Sequence, residues 1–330
     1  MTNAFEKFNS LNVLIIGDVM MDTYLWGKVE RISSEAPVPI VSVIKKENRL
    51  GGAANVALNV QSLGANPIIC AVIGDDVEGL AFLSLLEKQN LSKQGILEVK
   101  GRPTTVKTRI IAHNQQIVRV DTETDQNIAA ETAQLLMDNI RQIISDQNIN
   151  AIIFEDYDKG LLNEELIRET VSLANQKNII TVVDPKNRNF YFYQDVTLFK
   201  PNLKELKEGL KTVINPASRT EIETAVAKLQ KQIGAKMLML TLSENGIFIS
   251  SENGQKLIPA HVRDIADVSG AGDTVIATTA LCLAVGLDEF ETAAVANLAG
   301  GLVCEHVGVV SIEKERLLEE TRKLRVMRIE

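Results

Sequence analysis

The chain has 330 residues, 45% of them hydrophobic and 4% aromatic, and carries a net charge of −8 at pH 7. This length suits one large α/β domain with a small appendage, or two domains, while an acidic chain without a long basic block excludes general nucleic-acid binding. Because neither a membrane-span-length apolar run nor a signal-peptide pattern is found, we expect a cytoplasmic protein with no membrane partner.

Short apolar runs recur along the chain and alternate with helical patterns. The first run, 11–17, ends in glycine, and similar runs follow at 67–73, 151–154, 179–183 and 237–242. Residues 131–144 carry an amphipathic helical period, and the charged tail from Glu313 is typical of a terminal helix. Strands that alternate with helices predict an α/β fold, doubly wound around a mostly parallel sheet, over residues 1–330.

Two regions interrupt this alternation. Residues 23–45 contain Pro37 and Pro39 among short β-prone pieces, and residues 102–121 form two alternating patterns around a turn at 112–115. We expect these segments to form a small β lid outside the main sheet. Strands of this kind can pack against a second subunit, so we also expect a homodimer through the β lid.

The segment 267–274 (DVSGAGDT) places a carboxylate behind three small residues and ahead of an apolar run. Backbone N–H groups of Gly270, Ala271 and Gly272 can approach an anion closely, and a helix N-terminus favours negative charge. A carboxylate at such a site makes chemical sense if Asp273 takes a proton from an attacking hydroxyl. The alternative is an aspartate that simply caps a helix after a glycine turn.

An earlier glycine pair precedes a second helix. Gly51 and Gly52 would let a sugar approach bare backbone, and Asn55 offers both a donor and an acceptor to its hydroxyls. Close packing of the helix on a strand is the alternative. Asp22 lies five residues after the first strand, at a carboxyl end where open α/β sheets bind ligands, although a surface or turn role explains it equally simply.

Two later segments have the residue types of a nucleotide site. Asn202 and Glu205 can share a helix face toward phosphate oxygens or metal-bound water, or can form a capping box. Thr241, Ser243 and Gly246 end a strand with hydroxyls and a glycine turn, which can line a nucleotide or form a plain hairpin loop.

Several cations stand at strand ends of this acidic protein. Lys107 and Arg109 share one face of a predicted strand, Arg119 lies on the return strand, and Lys159 follows a core strand. Such a group is typical of a phosphate site, and solubilising edge charges are the alternative.

Other familiar signals are missing from the sequence. No G-x-x-x-x-G-K-[ST] loop occurs, which excludes a P-loop enzyme, and no G-x-G-x-x-G follows the first strand, which disfavours a dehydrogenase. The three histidines are scattered, and the three cysteines lie in apolar runs without metal-ligand spacing. We therefore expect reduced core thiols and no metal held by His or Cys.

Taken together, Gly51-Gly52-x-x-Asn55 and Asp267-x-x-Gly270-Ala271-Gly272-Asp273 resemble the two signatures of the ribokinase-like (PfkB) carbohydrate kinases. The two halves are in the correct order, and the resemblance covers essentially the whole chain. It implies ATP, Mg²⁺ and transfer of the γ-phosphoryl group to a sugar hydroxyl. Asp273 would then be the general base, with an anion hole at 270–272.

Within this family, residues 17–27, 31–41, 51–65, 102–121 and 156–160 are similar to the kinase domains of bacterial ADP-heptose synthesis. The similarity implies phosphorylation of the C1 hydroxyl of D-glycero-D-manno-heptose 7-phosphate to the 1,7-bisphosphate, for ADP-heptose and lipopolysaccharide core synthesis. Such domains are often fused to a C-terminal nucleotidyltransferase, which this chain ends too early to contain, so we expect a monofunctional or excised kinase.

The resemblance also implies roles for individual residues. The sugar hydroxyls would be held by Asp22, Gly51, Gly52, Asn55 and Asp156. The 7-phosphate would be held by Lys107, Arg109 and Lys159. The nucleotide would be lined by Asn202, Glu205, Thr241, Ser243, Gly246 and Asn297. Glu205 would contact Mg²⁺ directly or through water.

Some questions stay open at this point. Val268 stands where threonine is common in the family, which leaves a monovalent-cation requirement undecided. Another phosphorylated sugar, such as fructose 1-phosphate or tagatose 6-phosphate, is an alternative substrate. A non-catalytic module that senses a nucleotide or a sugar is an alternative from a different class, which the intact Asp273 disfavours.

Overall fold

The computed structural model describes residues 2–113, 115–261 and 263–326. The tip of the predicted turn at Asn114 and the last four residues of the tail lie outside the described residues. The strands are β1 (Asn12–Gly17), β2 (Val19–Ile32), β3 (Pro39–Gly52), β4 (Asn66–Gly74), β5 (Gly95–Val99), β6 (Val106–Ala112), β7 (Gln115–Thr122), β8 (Ile149–Glu155), β9 (Ile180–Asp184), β10 (Leu198–Phe199), β11 (Met237–Thr241), β12 (Ile247–Ser251) and β13 (Gly254–Ile258). The helices are α1 (Thr2–Lys7), α2 (Ala53–Ser62), α3 (Val77–Lys88), α4 (Ala130–Asp146), α5 (Glu164–Gln176), α6 (Leu203–Leu210), α7 (Arg219–Ile233), α8 (Ala271–Ala284), α9 (Glu289–Val303) and α10 (Lys314–Val326).

Nine strands form the main sheet, in the order β13-β12-β11-β10-β9-β8-β1-β4-β5. Seven of them, from β11 to β5 in this order, run parallel, and β12 and β13 add an antiparallel edge. Helices cover both faces of a parallel sheet, which explains why its strands are continuous apolar runs. Val13, Leu14, Ile15 and Ile16 of β1 are all fully buried. The predicted mostly parallel α/β fold is confirmed.

The strand order reverses at β1, which lies between β4 and β8 although β4 follows it in the chain and β8 comes much later. Open α/β sheets bind ligands at the carboxyl ends of the strands beside such a reversal. The carboxyl ends of β1, β8, β9, β10 and β11 meet at this edge, and α2 and α8 pack against each other beside it. The fold therefore gathers residues from seven elements of the chain.

The other four strands form a separate sheet in the order β3-β2-β6-β7. Both segments predicted for the β lid lie within it, and β2 and β3 extend the first of them to residues 19–52. The inner end of this sheet is buried beside the main sheet, whereas β7 is exposed along its whole length. In the part of the chain that the structure describes, no helix is both long and apolar enough to cross a bilayer.

Candidate active site

The two glycine-containing segments of the sequence meet at Asp273. Helix α8 begins directly after Gly270, whose φ of +80° is a left-handed conformation that favours glycine, and this places Asp273 in the first turn. Nδ2 of Asn55 donates to Oδ2 of Asp273 at 2.6 Å, and the hydroxyl of Tyr157 donates to Oδ1 at 3.0 Å. Both carboxylate oxygens are therefore held in place by side chains from other elements.

Burial changes the acidity of Asp273. The side chain is buried, and this burial raises its pKa to about 6, although the hydrogen bond from Asn55 acts in the opposite direction. The nearby carboxylate of Asp184 raises the pKa further. A carboxylate whose pKa lies this close to neutral pH is suited to accept a proton from a hydroxyl.

The start of α8 also has the features of an anion site. The first N–H groups of a helix have no intrahelical partner. The N–H of Ala271 donates to the carbonyl of Val268 at 3.3 Å, so Gly270 and Gly272 are the better placed of the three predicted donors. A Cβ on Gly272 would lie 3.6 Å from Oδ2 of Asp184 and 3.9 Å from Nζ of Lys200, and these two groups form an ion pair. The helix N-terminus is therefore the feature that favours a bound anion here.

The glycine pair before α2 packs against protein atoms. A Cβ on Gly52, whose φ is +59°, would lie 2.4 Å from the carbonyl oxygen of Asp18. A Cβ on Gly51 would lie 2.5 Å from Oδ2 of Asp22. Close packing explains both glycines, and direct contact of a sugar with their backbone stays a prediction.

Asp22 lies in a cluster of charged and aromatic side chains on the β lid. Its buried carboxylate forms an ion pair with Arg109. The guanidinium carbons of Arg49 and Arg109 lie 4.9 and 5.4 Å from the centroid of the Tyr24 ring. Arg49 also donates to the carbonyl of Val309, which packs against the start of α8, at 3.3 Å. Two cations of the β lid thus lie beside the main sheet's anion site.

The other two cations predicted for a phosphate have carboxylate partners. Nζ of Lys107 and Nζ of Lys159 lie 2.9 and 2.8 Å from the two carboxylate oxygens of Glu123. Arg109 and Arg49 have carboxylate partners as well, Asp22 and Glu47, so ion pairing does not distinguish among these cations. The contact of Lys107, Arg109 and Lys159 with a phosphate stays a prediction, to which the structure adds Arg49 beside the same Tyr24 ring as Arg109.

Asp156 has an internal role that the sequence did not indicate. Its Oδ2 accepts from Nδ2 of Asn189 at 2.9 Å and from the hydroxyl of Tyr193 at 2.8 Å, and its Oδ1 accepts from the N–H of Asp158. The side chain is almost completely buried. Asp156 therefore anchors the loop that carries Tyr157, and its predicted sugar contact stays a prediction.

Asn202 and Glu205 form the capping box that was one of two alternatives. Oδ1 of Asn202 accepts from the N–H of Glu205 at 2.9 Å, and Oε2 of Glu205 accepts from the N–H of Asn202 at 2.8 Å. Oε1 of Glu205 lies 2.6 Å from Nζ of Lys186. The capping box fixes the carboxylate and leaves Oε1 toward the site.

A cleft of about 730 Å³ begins at this capping box. Asn202, Thr241 and Ser243 line it, and the turn after β11 is both a hairpin loop and a wall of the cleft. Gly246 has a φ of +88°, and a Cβ there would lie 2.0 Å from the carbonyl of Ile258, so its role is conformational. Asn297 is outside the cleft lining and donates to the carbonyl of Pro259 at 2.8 Å.

The carboxylates between the cleft and Asp273 are of the type that binds Mg²⁺. Oε2 of Glu155 is buried without a hydrogen-bond partner among the described residues, and Asp184 shares this region with an ion pair to Lys200 at 2.7 Å. No group of three or more potential ligands is assembled in the described part of the chain. Glu205 and Asp184 therefore fit a hydrated Mg²⁺ that phosphates and water also bind, rather than a cage of protein ligands.

Asp18 is a functional residue that sequence analysis missed. Its buried carboxylate accepts from the N–H groups of Tyr157 at 2.9 Å, Lys159 at 3.0 Å and Leu161 at 3.4 Å. Burial raises the pKa of Asp18 to about 6, and the charge of Asp156 adds to this effect. Asp18 fixes the loop that brings the Tyr157 hydroxyl to the candidate base.

A simple signal would have found most of the missed residues. Asp18, Tyr157, Lys186 and Lys200 each lie within two residues of the carboxyl end of a parallel strand. In an open α/β sheet, that position alone marks a polar residue as a candidate. Asn59 gives no such signal: it is fully buried in α2, accepts from Thr274 of α8 at 3.0 Å, and thereby joins the two site helices.

Comparison with known proteins places the chain in a family. Residues 10–316 match the family described as pfkB family carbohydrate kinase. The chain belongs to this family. It is therefore a carbohydrate kinase.

Curated relatives of this kinase are longer than the chain itself. It is 40% identical over 308 residues to "Bifunctional protein HldE" of Helicobacter pylori strain J99, and the match covers 93% of this chain and 66% of that protein. It is 36% identical over 317 residues to the protein of the same name from Trichlorobacter lovleyi, covering 96% of this chain and 64% of the relative. The chain thus spans slightly less than two thirds of the length of these relatives.

Solved structures of sugar kinases have the same fold. Phosphofructokinase-2 from Escherichia coli, in complex with potassium, has a TM-score of 0.76 at 16% identity, and the match covers 96% of this kinase and 99% of that chain. Ribokinase from Arabidopsis thaliana, complexed with ribose and ATP, has a TM-score of 0.73 at 15% identity, covering 94% and 99%. These likenesses confirm the ribokinase-like fold.

Proposed function

We propose that this carbohydrate kinase transfers the γ-phosphoryl group of ATP to the C1 hydroxyl of D-glycero-D-manno-heptose 7-phosphate. The observation that carries the proposal is the position of Asp273, which is held by Asn55 and Tyr157 in the first turn of α8. The similarity of the sequence to kinases of ADP-heptose synthesis supports the choice of sugar.

Asp273 accepts the proton of the sugar hydroxyl as the oxygen attacks the γ-phosphorus in line. The N–H groups of Gly270 and Gly272 and the helix N-terminus stabilise the negative charge that the phosphoryl group carries. Asn202 and the hydroxyl-bearing turn after β11 position ATP, because phosphoryl transfer depends mainly on positioning and electrostatics. Glu205 and Asp184 would hold Mg²⁺ through water, and the bound ion would neutralise phosphate charge.

One polar atom beside the base supports a bound polyol. Oδ1 of Asn55 is buried and has no hydrogen-bond partner among the described residues, while the same side chain donates to Asp273. An unpaired buried acceptor costs free energy, and a sugar hydroxyl would supply the missing donor. The hydroxyl that Asn55 binds would then lie next to the base.

The test is a panel of sugars incubated with the purified kinase and ATP. Heptose 7-phosphate should yield a bisphosphate, detected by mass spectrometry, with the new phosphate on C1 by ³¹P and ¹³C NMR. Faster turnover of fructose 1-phosphate or tagatose 6-phosphate would replace the heptose assignment. Nucleotide binding without any phosphorylated product would favour the sensing module.

The pKa of Asp273 predicts the acid side of the pH profile. Because the base must be ionised and its pKa is about 6, kcat/KM for the sugar should fall about tenfold for each pH unit below that value. Tyr157→Phe removes a hydrogen bond that lowers this pKa, so the falling limb should move to higher pH. Initial rates from pH 5 to 8.5 measure both.

Tyr191→Phe is the matched control for the pH profile, since the Tyr191 hydroxyl is bonded to the carbonyl of Gly209 on the surface. This variant should keep the profile of the unsubstituted kinase. An acid limb that stays at the same pH in Tyr157→Phe would refute the role of the Tyr157 hydroxyl.

The predicted phosphate contact of Arg109 implies a selective defect in Arg109→Ala. The KM for the sugar phosphate should rise about 10- to 100-fold, as expected for loss of a charge-assisted contact worth about 1.5–3 kcal/mol, and the KM for ATP should stay unchanged. Arg119→Ala is the control. Arg119 lies directly opposite Arg109 in the register of β6 and β7, but its side chain is about half-exposed. Loss of ATP affinity in Arg109→Ala would contradict the assignment.

We further propose that the β lid pairs with the β lid of a second copy. Ile110, Val118 and Val120 lie on the sheet face opposite Arg109, and Val118 and Val120 are about half-exposed. Water contact of such an apolar sheet face is unfavourable, and pairing with a second copy would cover it. We assign a second copy of the same chain to this apolar face because the face includes β7, which is exposed at the edge of the sheet and can lie against the same strand of another copy.

Sedimentation equilibrium tests this arrangement. The kinase should be a dimer, and the double substitution Val118→Lys with Val120→Lys should shift it to a monomer. Val77→Lys, on the exposed surface of α3, should leave the dimer intact. A wild-type protein that is monomeric at all concentrations would contradict the proposed dimer.

A further inference from the structure

Lys186 lies between the two halves of the candidate site. Its ammonium nitrogen is 2.6 Å from Oε1 of Glu205, whose capping-box partner Asn202 lines the cleft. The same nitrogen is 5.5 Å from the centroid of the Tyr157 ring, and the hydroxyl of that ring contacts Asp273. Tyr157 therefore lies between this ammonium group and the candidate base, and Glu205 lies between it and the cleft.

A second lysine in the same region shows what is distinctive about Lys186. The side chain of Lys200 is 4% exposed and forms an ion pair with Asp184 at 2.7 Å. The side chain of Lys186 is 33% exposed. Lys186 thus keeps a solvent-accessible surface although it contacts Glu205.

The hydrogen-bonding capacity of this ammonium group exceeds the contacts it makes. A lysine has three N–H donors, and in the described part of the chain Lys186 donates a hydrogen bond to Glu205. In-line transfer requires the attacking hydroxyl and the departing ADP to lie on opposite sides of the γ-phosphorus. Because Lys186 is near Tyr157, which contacts the base, and near Glu205, whose capping-box partner lines the cleft, a phosphoryl group that moves from the cleft to the base would come within reach of its ammonium group.

We propose that Lys186 is a catalytic residue that contacts the γ-phosphoryl group of ATP during its transfer. The reaction itself rests on the proposed function: the sugar oxygen bonds to the γ-phosphorus, the bond from that phosphorus to the bridging oxygen breaks, and ADP leaves. The hydroxyl proton goes to Asp273. Lys186 keeps its protons and stabilises the charge on the phosphoryl oxygens through hydrogen bonds.

An ion pair that only positions Glu205 is the competing explanation, and nucleotide binding separates the two. In Lys186→Met, the Kd of the non-hydrolysable ATP analogue AMP-PNP with Mg²⁺ should rise about tenfold, while the Kd of ADP with Mg²⁺ should change less than twofold. The kcat should fall about 10²- to 10³-fold, the loss seen when one preorganised donor to a developing charge is removed. Lys186→Arg should recover part of both effects because it keeps the charge.

Lys177→Met is the matched control. Lys177 is exposed at the C-terminal end of α5 and is not among the residues that line the cleft. Its loss should leave the Kd of AMP-PNP, the Kd of ADP and kcat nearly unchanged. Equal weakening of both nucleotides in Lys186→Met, or no weakening of either, would overturn the proposed contact.

The binding measurement does not depend on the sugar. If the kinase phosphorylated none of the sugars tested, the proposed function would fail, but the comparison of AMP-PNP with ADP would still decide whether Lys186 contacts the γ-phosphoryl group. Calorimetric titration of each variant, with its thermal melting curve as a check on folding, gives this answer.

Discussion

Replacement of Asp273 by asparagine should reduce kcat by about 10²- to 10⁴-fold, the usual contribution of a positioned general base. The introduced amide has nearly the size of the carboxylate and still accepts one hydrogen bond, so the substrates should bind with little change in KM. The measurement is a coupled ADP-release assay at saturating ATP and sugar phosphate. An asparagine variant with near wild-type kcat would remove Asp273 from the role of base.

The same substitution should not destabilise the protein, which separates a catalytic effect from misfolding. The pKa of Asp273 is about 6 in the fold and 3.8 as the ordinary value, so this group favours folding at low pH, and that contribution is lost as pH rises from about 4 through about 6. At pH 7.5 the buried charge costs about 3 kcal/mol at most. Chemical denaturation should therefore show an asparagine variant as stable as the unsubstituted kinase, or more stable.

Replacement of Asp18 by alanine should have the largest effect on stability. Three backbone N–H groups of the loop after β8 would lose their buried acceptor, and each unsatisfied donor costs about 1–3 kcal/mol. Removal of a buried charge offsets part of this loss, so we expect a net decrease of about 2–4 kcal/mol in the free energy of unfolding. The kcat should fall as well, because the loop that carries Tyr157 is released.

Asp75 provides a matched control for Asp18. Both aspartates follow an Ile-Gly pair at the end of a parallel strand, β1 in one case and β4 in the other, but Asp75 is exposed. Asp75→Ala should change the free energy of unfolding by less than about 0.5 kcal/mol, as usual for surface substitutions. If urea denaturation gave the same result for both variants, the loop-anchoring role of Asp18 would be wrong.

The sequence by itself determined the fold class, the family and the pairing of two distant segments. The continuous apolar runs of β1, β4, β8, β9 and β11 are readable because strands covered on both faces need no polar alternation. The two glycine-containing segments, 51–55 and 270–273, can be recognised in the sequence. Backbone that must approach an anion or another chain segment closely tolerates few residue types other than glycine. Features of this kind depend on residues that are adjacent in the chain, so the sequence alone predicts them.

Only the tertiary structure decided which charged groups have partners within the protein and which are accessible to a ligand. The sequence could not show that Glu123 pairs with both Lys107 and Lys159, or that Asp156 accepts buried hydrogen bonds, because ion pairs and buried networks join residues that are far apart in the chain. Nor could it show that Lys186 contacts Glu205 and lies beside the Tyr157 ring. Charge and hydrogen-bonding capacity are shared among spatial neighbours, and the neighbours of each residue are set by the strand order of the sheet.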